Sequence, residues 1–237
     1  FVDAGDTLSA HTAEQDQVTT IGEFAGEIDD PFDNLVAKAL SVLPRPQGLN
    51  ITLEKNLPVA AGLGGGSADA GAVFRLIERL HGLPDDWQAR AAKLGADVPS
   101  CVRSEMVVGR GVGEALEPIE NDLAGMPVLL VNPRVPLSTG PVFKAWDQID
   151  HGPLPTGSAR AIAVQGRNDL TTPALSLCPE IGLVLDALAV DNPWLSRMSG
   201  SGATCFALYG SESERDDAHA RLTHAHPGWW MLAGKLR

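Results

Sequence analysis

The run Pro58-Val-Ala-Ala-Gly-Leu-Gly-Gly-Gly-Ser-Ala-Asp69 constrains this 237-residue chain more than any other stretch. Glycines at 62, 64, 65 and 66 permit positive φ and let backbone approach a ligand closely. Val73, Leu76, Ile77 and Leu80 follow at helical spacing, and Gly82 and Pro84 end the pattern. Ser67 then reads as the N-cap of that helix. A helix N-terminus behind a glycine loop offers unpaired N–H groups and a partial positive charge, which suits the phosphates of a nucleotide. Taken alone, the run is equally a flexible turn capped by serine. Two familiar phosphate loops are excluded by inspection. No lysine stands beside Ser67, as a Walker loop requires, and Ser67 occupies the place of a dinucleotide fingerprint's third glycine.

Around this loop the chain alternates helical and strand periods without strict βαβ order. Helices are expected over 34–43, 85–94, 139–149, 181–188 and 213–223. Strands are expected over 49–53, 106–113, 127–131, 204–209 and 229–232, with polar strands joined by a turn in 12–26. Asp97-Val-Pro99 opens a further short helical turn, and Asp150–Ser158 is a proline- and glycine-containing loop. This mixture predicts an α+β fold of two domains, 1–124 and 125–237, divided at the polar stretch 121–126.

Charge narrows the partners. A net charge of −12 disfavours nucleic-acid backbones and anionic membranes, yet a local nest of amides can still hold a small phosphorylated ligand. Cys101, Cys178 and Cys205 lie far apart in the chain, so they form neither a disulfide framework nor a metal pattern. A cytoplasmic setting is expected, in a bacterium or a plastid stroma. No direct cluster of metal ligands is predicted, and the six histidines read as surface residues.

Asp97 has two readings. Its carboxylate could accept the proton of a substrate hydroxyl during phosphoryl transfer, or cap the helix that Pro99 helps to start. Ser199-Gly-Ser-Gly202 is likewise either backbone approaching a ligand or a plain tight turn.

The Pro58–Asp69 run resembles the second signature of the GHMP kinases. Its triple glycine followed by Ser-Ala-Asp looks like one branch of them, the kinases of the non-mevalonate (MEP) isoprenoid pathway, whose acceptor is a cytidyl diphosphate sugar alcohol. Asp33-Asn-Leu35, Leu94-Gly-Ala-Asp-Val-Pro99, Asn168-Asp-Leu170 with Cys178-Pro-Glu-Ile181, and Arg197-Met-Ser-Gly-Ser-Gly-Ala-Thr-Cys-Phe206 agree with that branch, in order. The resemblance implies two α+β domains with ATP, Mg²⁺ and acceptor in the cleft between them. By position it implies that Gly62, Leu63, Gly64, Gly65, Gly66 and Ser67 wrap the triphosphate, with Ser67 near the β- and γ-phosphates or Mg²⁺. Asn34, Leu35 and Lys55 would border the adenine, with Pro58 and Ala60 also on the nucleotide. It implies Asp97 as general base and Thr139 and Phe143 on the cytidine end, Phe143 by stacking. Gly200, Ser201 and Gly202 would close the site from the second domain. A monomer or weak homodimer is expected. A GHMP kinase for another small alcohol and a nucleotide-binding pseudoenzyme are the other readings.

One departure follows from the same resemblance. The family opens with a Pro-Ala-Lys-x-Asn-Leu strand and a Gly-Tyr-His segment, whereas Phe1–Leu8 resembles what comes after both. Roughly three dozen residues with a catalytic lysine would then precede Phe1. A chain beginning at Phe1 is expected to bind nucleotide and to fail as a kinase.

Overall fold

Leu49, Ile51 and Leu53 alternate with polar residues, and this period of two makes Gly48–Glu54 a strand, β3, with one buried face. The structure, a computed structural model, describes residues 1–28, 34–111, 113, 115–149 and 151–237. β3 is the middle strand of a three-stranded sheet. β1 (Thr7–Ala13) pairs with it antiparallel, from Thr7 opposite Glu54 to Ala13 opposite Gly48, and β2 (Gln17–Ile21) pairs with it parallel, Val18 opposite Ile51.

One core joins the buried face of β3 to the helices α1 (Leu35–Val42), α2 (Gly65–His81), α3 (Trp87–Leu94) and α4 (Val98–Arg103). Val36, Ala39 and Leu40 come from α1, and Val98 and Val102 from α4. α2 contributes Ala70, Val73, Phe74 and Ile77, while Leu80, expected on the same stripe, is 49% exposed. The buried positions follow the i, i+3, i+4, i+7 rule, so Phe74 takes the place that the sequence pattern gave to Leu80. Beyond α4, β4 (Val107–Arg110) forms a hairpin with β5 (Ala115–Pro118), and Gly111 and Gly113 in the turn have positive φ. The strand expected over 106–113 ends early, and its residue 112 lies outside the described residues.

A second core is built on β6 (Pro127–Asn132), an apolar run up to Val131 that ends on a buried asparagine, with all six positions buried. It lies inside an antiparallel sheet of order β7–β8–β6–β9, with β7 at Leu195–Met198, β8 at Cys205–Leu208 and β9 at Trp230–Lys235. Helices α5 (Thr139–Ala145), α6 (Ala159–Gln165), α7 (Thr171–Leu177), α8 (Glu180–Ala189) and α9 (Glu212–Ala225) accompany this sheet. α9 starts on a complete capping box, Ser211 with Glu214. α6, α7, β5 and β7 have no counterpart in the periodicity. α5 stops at Ala145, short of the expected Ile149, because the Trp146 amide tightens onto the Val142 and Phe143 carbonyls and Asp147 accepts from the Ile149 amide.

The chain divides into two compact units: Gly5–Val59 with Gly64–Pro118, and Phe1–Ala4 with Ala60–Leu63 and Ile119–Arg237. We call them the N-terminal and C-terminal units. The break falls at Pro118, where the sequence pointed to 124, because the polar stretch after it is tied into the C-terminal unit. Ala159 donates to the Glu120 carbonyl, Ser158 and the Arg160 amide bind the Asp122 carboxylate, and the Gly125 amide donates to Leu236. No single helix among the described residues is long and apolar enough to cross a membrane.

The phase of α2 is testable by calorimetry. Phe74→Ala is expected to cost about 3–5 kcal/mol, the usual range for a fully buried aromatic, and Leu80→Ala about 0.5 kcal/mol or less. Equal losses would mean that the helix is turned from the phase described.

Candidate active site

In the N-terminal unit the period of β3 runs one step too far. Residues 49, 51 and 53 are buried and apolar, and the next position in phase is Lys55, only 3% exposed. A lone buried ammonium is prohibitively costly, so it must be paired. Its Nζ is held by Asp6, and by Asp69 Oδ2 at 3.0 Å, and both carboxylates are themselves buried. Asp6 uses its other oxygen to accept from the amides of Asn56, at 2.6 Å, and Leu57, at 2.9 Å. Burial pushes Asp69's carboxyl up to about 6, with Lys55 pulling it back and Asp6 adding to the rise. Burial pulls Lys55 down, but the charges of Asp69 and Asp6 outweigh it and leave the ammonium above its usual value.

This cluster sits under the glycine loop. A Cβ on Gly65 would stand 3.5 Å from Asp6 Oδ2 and 3.6 Å from Lys55 Nζ. Lys55, expected at the border of an adenine, is buried with its ammonium in this ion cluster. α2 starts at Gly65 with Gly64 as N-cap, so Ser67 is the third residue of the helix and not its cap. The Ala68 amide is the first to reach back, to the Gly64 carbonyl at 2.9 Å. The amides of Gly65, Gly66 and Ser67 precede it and have no intrahelical acceptor. Positive φ belongs to Gly62 and Gly64, whereas Gly65 and Gly66 are helical. The Ser67 hydroxyl has no hydrogen-bond partner among the described residues.

Leu35 packs near the loop, its Cδ1 3.4 Å from where a Cβ on Gly66 would be. Asn34 caps α1 by accepting from the Val36 amide at 2.9 Å, and Asp33 of the same motif lies outside the described residues. Pro58 is half-buried, and Ala60 is exposed with φ of 51°.

Asp97 occupies the N-cap position of α4, yet its side chain makes no capping bond. The carboxylate is exposed and enters no ion pair among the described residues. Pro99 and the buried Val98 start the helix without it. The group is chemically uncommitted.

In the C-terminal unit, Gly62 and Ser199–Gly202 form a tight cluster. Ser199 Oγ donates to the Gly62 carbonyl at 2.8 Å, and a Cβ on Gly62 would lie 2.3 Å from the Ser199 carbonyl oxygen. Gly200 has φ of 53°, and a Cβ there would be 2.8 Å from the Gly62 oxygen. A Cβ on Gly202 would crowd Met198, Ile181 and Leu137. Ser201 Oγ and Thr139 Oγ1 share a hydrogen bond at 2.9 Å, and Phe143 one turn further is 51% exposed. Asn168 Nδ2 ties the turn down by donating to the carbonyls of Met198, at 3.0 Å, and Gly200, at 2.8 Å. Leu63 is half-buried in the same unit.

The loop, the free carboxylate and the glycine turn coincide with two family models, those of the GHMP kinase N-terminal domain, over residues 34–105, and the GHMP kinase C-terminal domain, over residues 157–227. The chain is a GHMP kinase. It is 64% identical over 241 residues to the 4-diphosphocytidyl-2-C-methyl-D-erythritol kinase of Erythrobacter litoralis, an alignment covering all of this chain and 88% of that protein. The enzyme of the same name from Novosphingobium aromaticivorans is also 64% identical, over 237 residues, with all of this chain and 82% of that protein aligned. Among solved structures, a 4-(cytidine 5'-diphospho)-2C-methyl-D-erythritol kinase matches with a TM-score of 0.78 at 27% identity, over 99% of this chain and 87% of that one. A homoserine kinase from Cytophaga hutchinsonii has the same fold, with a TM-score of 0.75 at 19% identity over 99% and 87%.

Three residues of this kinase gained roles that the motifs did not assign. Asp6 and Asp69 are the counter-charges of Lys55. The signal was the alternation itself, which puts a lysine on the buried face of β3 and so demands acids nearby. Asn168 was quoted in a motif without a task, and its two carbonyl bonds span about thirty residues, beyond any local pattern.

Asp69 gives a pH test. Its proton is held more tightly in the folded than in the unfolded protein, so this group's stabilisation is complete below pH 3.8 and is lost as pH rises through about 6. The stability of the wild type minus that of Asp69→Asn should therefore fall between pH 4 and 7, by up to about 3 kcal/mol. Denaturant melts across that range showing a constant or rising difference would disprove the raised proton affinity.

Proposed function

We propose that this GHMP kinase moves the γ-phosphoryl group of ATP onto the 2-hydroxyl of 4-diphosphocytidyl-2-C-methyl-D-erythritol, giving ADP and the 2-phosphate in the MEP pathway. The supporting observation is the likeness, over the whole of this chain, to relatives bearing that enzyme's name, on a chain that keeps a glycine-loop helix and a carboxylate with no ion pair among the described residues. The N-terminal unit is assigned as the ATP-binding GHMP domain and the C-terminal unit as its C-terminal domain.

The residues divide the work. The free amides of Gly65, Gly66 and Ser67 hold the phosphate oxygens and place the γ-phosphorus, with the helix dipole favouring the anion. Asn34, Leu35, Pro58, Ala60, Gly62, Leu63 and Gly64 are assigned to the rest of the nucleotide. Asp97 accepts the hydroxyl proton as the acceptor oxygen bonds to the γ-phosphorus and the bond to the β-phosphate oxygen breaks, releasing ADP. Thr139, Phe143, Gly200, Ser201 and Gly202 are assigned to the acceptor, Phe143 by stacking on cytosine. Mg²⁺ carried with ATP would offset charge on the β- and γ-phosphates, and the unpartnered Ser67 hydroxyl fits a place beside it. A cytoplasmic setting accompanies this reading.

ADP release should be seen with the diphosphocytidyl acceptor and not with homoserine, mevalonate or galactose. Release with one of those three alone would make this a kinase of another alcohol, and ATP binding without any transfer would make it a pseudoenzyme. Within the active enzyme, Asp97→Asn is expected to lower kcat at least ~10²-fold while ATP affinity stays within about twofold. Turnover within a few-fold of the wild type would remove Asp97 from the chemistry.

A further inference from the structure

α4 is six residues long, too short to hold its own place, so what positions Asp97 must come from its neighbours. Its chief neighbour is α2, the helix whose first turn supplies the loop amides. Where the two helices cross, Gly71 of α2 is buried against α4 backbone. A Cβ there would lie 2.6 Å from both the carbonyl carbon and oxygen of Cys101, and 2.9 Å from its Cβ. No methyl group fits, so α4 rests directly on the α2 main chain. One turn further, Arg75 Nη1 donates to the Cys101 carbonyl, and to that of Val102 at 3.5 Å. These are among the last carbonyls of α4, which have no intrahelical donor. Val98 and Val102 then pin the remaining side of α4 into the core with Val73, Phe74 and Ile77. α4 is thus fixed by a close backbone approach, a guanidinium clamp and two valines, and Asp97 is the residue immediately before it.

We infer that Gly71 and Arg75 are positioning residues that hold Asp97 in register with the amides at the start of α2. The inference rests on Asp97 being the general base. Its physical content is that one rod carries both halves of the transfer apparatus. Gly71 lies six residues along α2 from Gly65, roughly 9 Å at the usual helical rise, so the amides and the seat of α4 cannot drift apart. Neither residue touches nucleotide or acceptor in this reading. Each acts by keeping a carboxylate within reach of a proton, where a 1 Å error costs about 10²-fold.

The test is a double-mutant cycle in the active enzyme, with kcat and ATP dissociation constant measured well below each variant's melting temperature. Gly71→Ala and Arg75→Met should each lower kcat about tenfold or more, leave the ATP dissociation constant within about twofold, and lose that effect on an Asp97→Asn background. Arg75→Lys, which keeps a donor for the Cys101 carbonyl, should recover most of the rate. Wild-type kcat in Arg75→Met, or a loss fully retained without the Asp97 carboxylate, would overturn the inference while leaving Asp97 as base. If Gly71→Ala does not fold, the two Arg75 variants decide. Wild-type turnover in Asp97→Asn would instead sink the base and the positioning role together.

Discussion

Lys55 cannot stay where β3 puts it without Asp6 and Asp69, and the N-terminal unit is arranged around that need. An ammonium taken out of water costs several kcal/mol, which its partners offset only at close range and with their remaining lone pairs satisfied. Asp6 meets the second condition by accepting two amides from Asn56 and Leu57, so the strand's exit is fastened by the same carboxylate that pairs the lysine. Asp69 meets the first from the opening turns of α2. One buried charge thus joins the chain entering β1, the end of β3 and the helix that bears the loop. The gain is in specificity of arrangement more than in net stability, because one ammonium is shared by two buried carboxylates and its removal would leave both without a cation.

Glycine acts in this chain mainly as a spacing device. Gly62 and Gly71 sit where a Cβ would meet backbone at 2.3 and 2.6 Å, one beside the Ser199–Gly202 turn and one beneath α4. Gly64 has open space around its absent side chain and a positive φ, which is a conformational demand and not a packing one. Two glycines of one α2 segment therefore do different jobs: Gly64 turns the chain, and Gly71 admits a neighbouring helix.

A chain of net charge −12 is an unpromising host for a triphosphate by global electrostatics. Local backbone can hold an anion whatever the global charge. Backbone amides at the start of α2 have direction and partial charge, while Asp6 and Asp69 close by are paired with Lys55. Asp97 differs from Asp69 in being exposed and in entering no ion pair among the described residues.

Local pattern was sufficient where an element's own period decided its form. The α2 helix and β3 were legible because burial of one face imposes a period on the residues, β6 because its apolar run is continuous, and the loop from its glycines. β5 and β7, four residues each, and α6 and α7, seven each, are too short to carry a period and exist through their partners. The loop's residues and Asp97 were named from sequence, as was the α+β class. What the sequence alone could not determine was which candidates were spent on structure. Only the tertiary fold put Lys55 between two carboxylates, made Gly64 and not Ser67 the helix cap, turned Phe74 inward in place of Leu80, and left Asp97 without a cap to make. The physical reason is range. Periodicity and turn chemistry act over a few residues, whereas the partners that settle these roles lie up to 49 positions away, as Asp6 does from Lys55, and meet only once the core has closed.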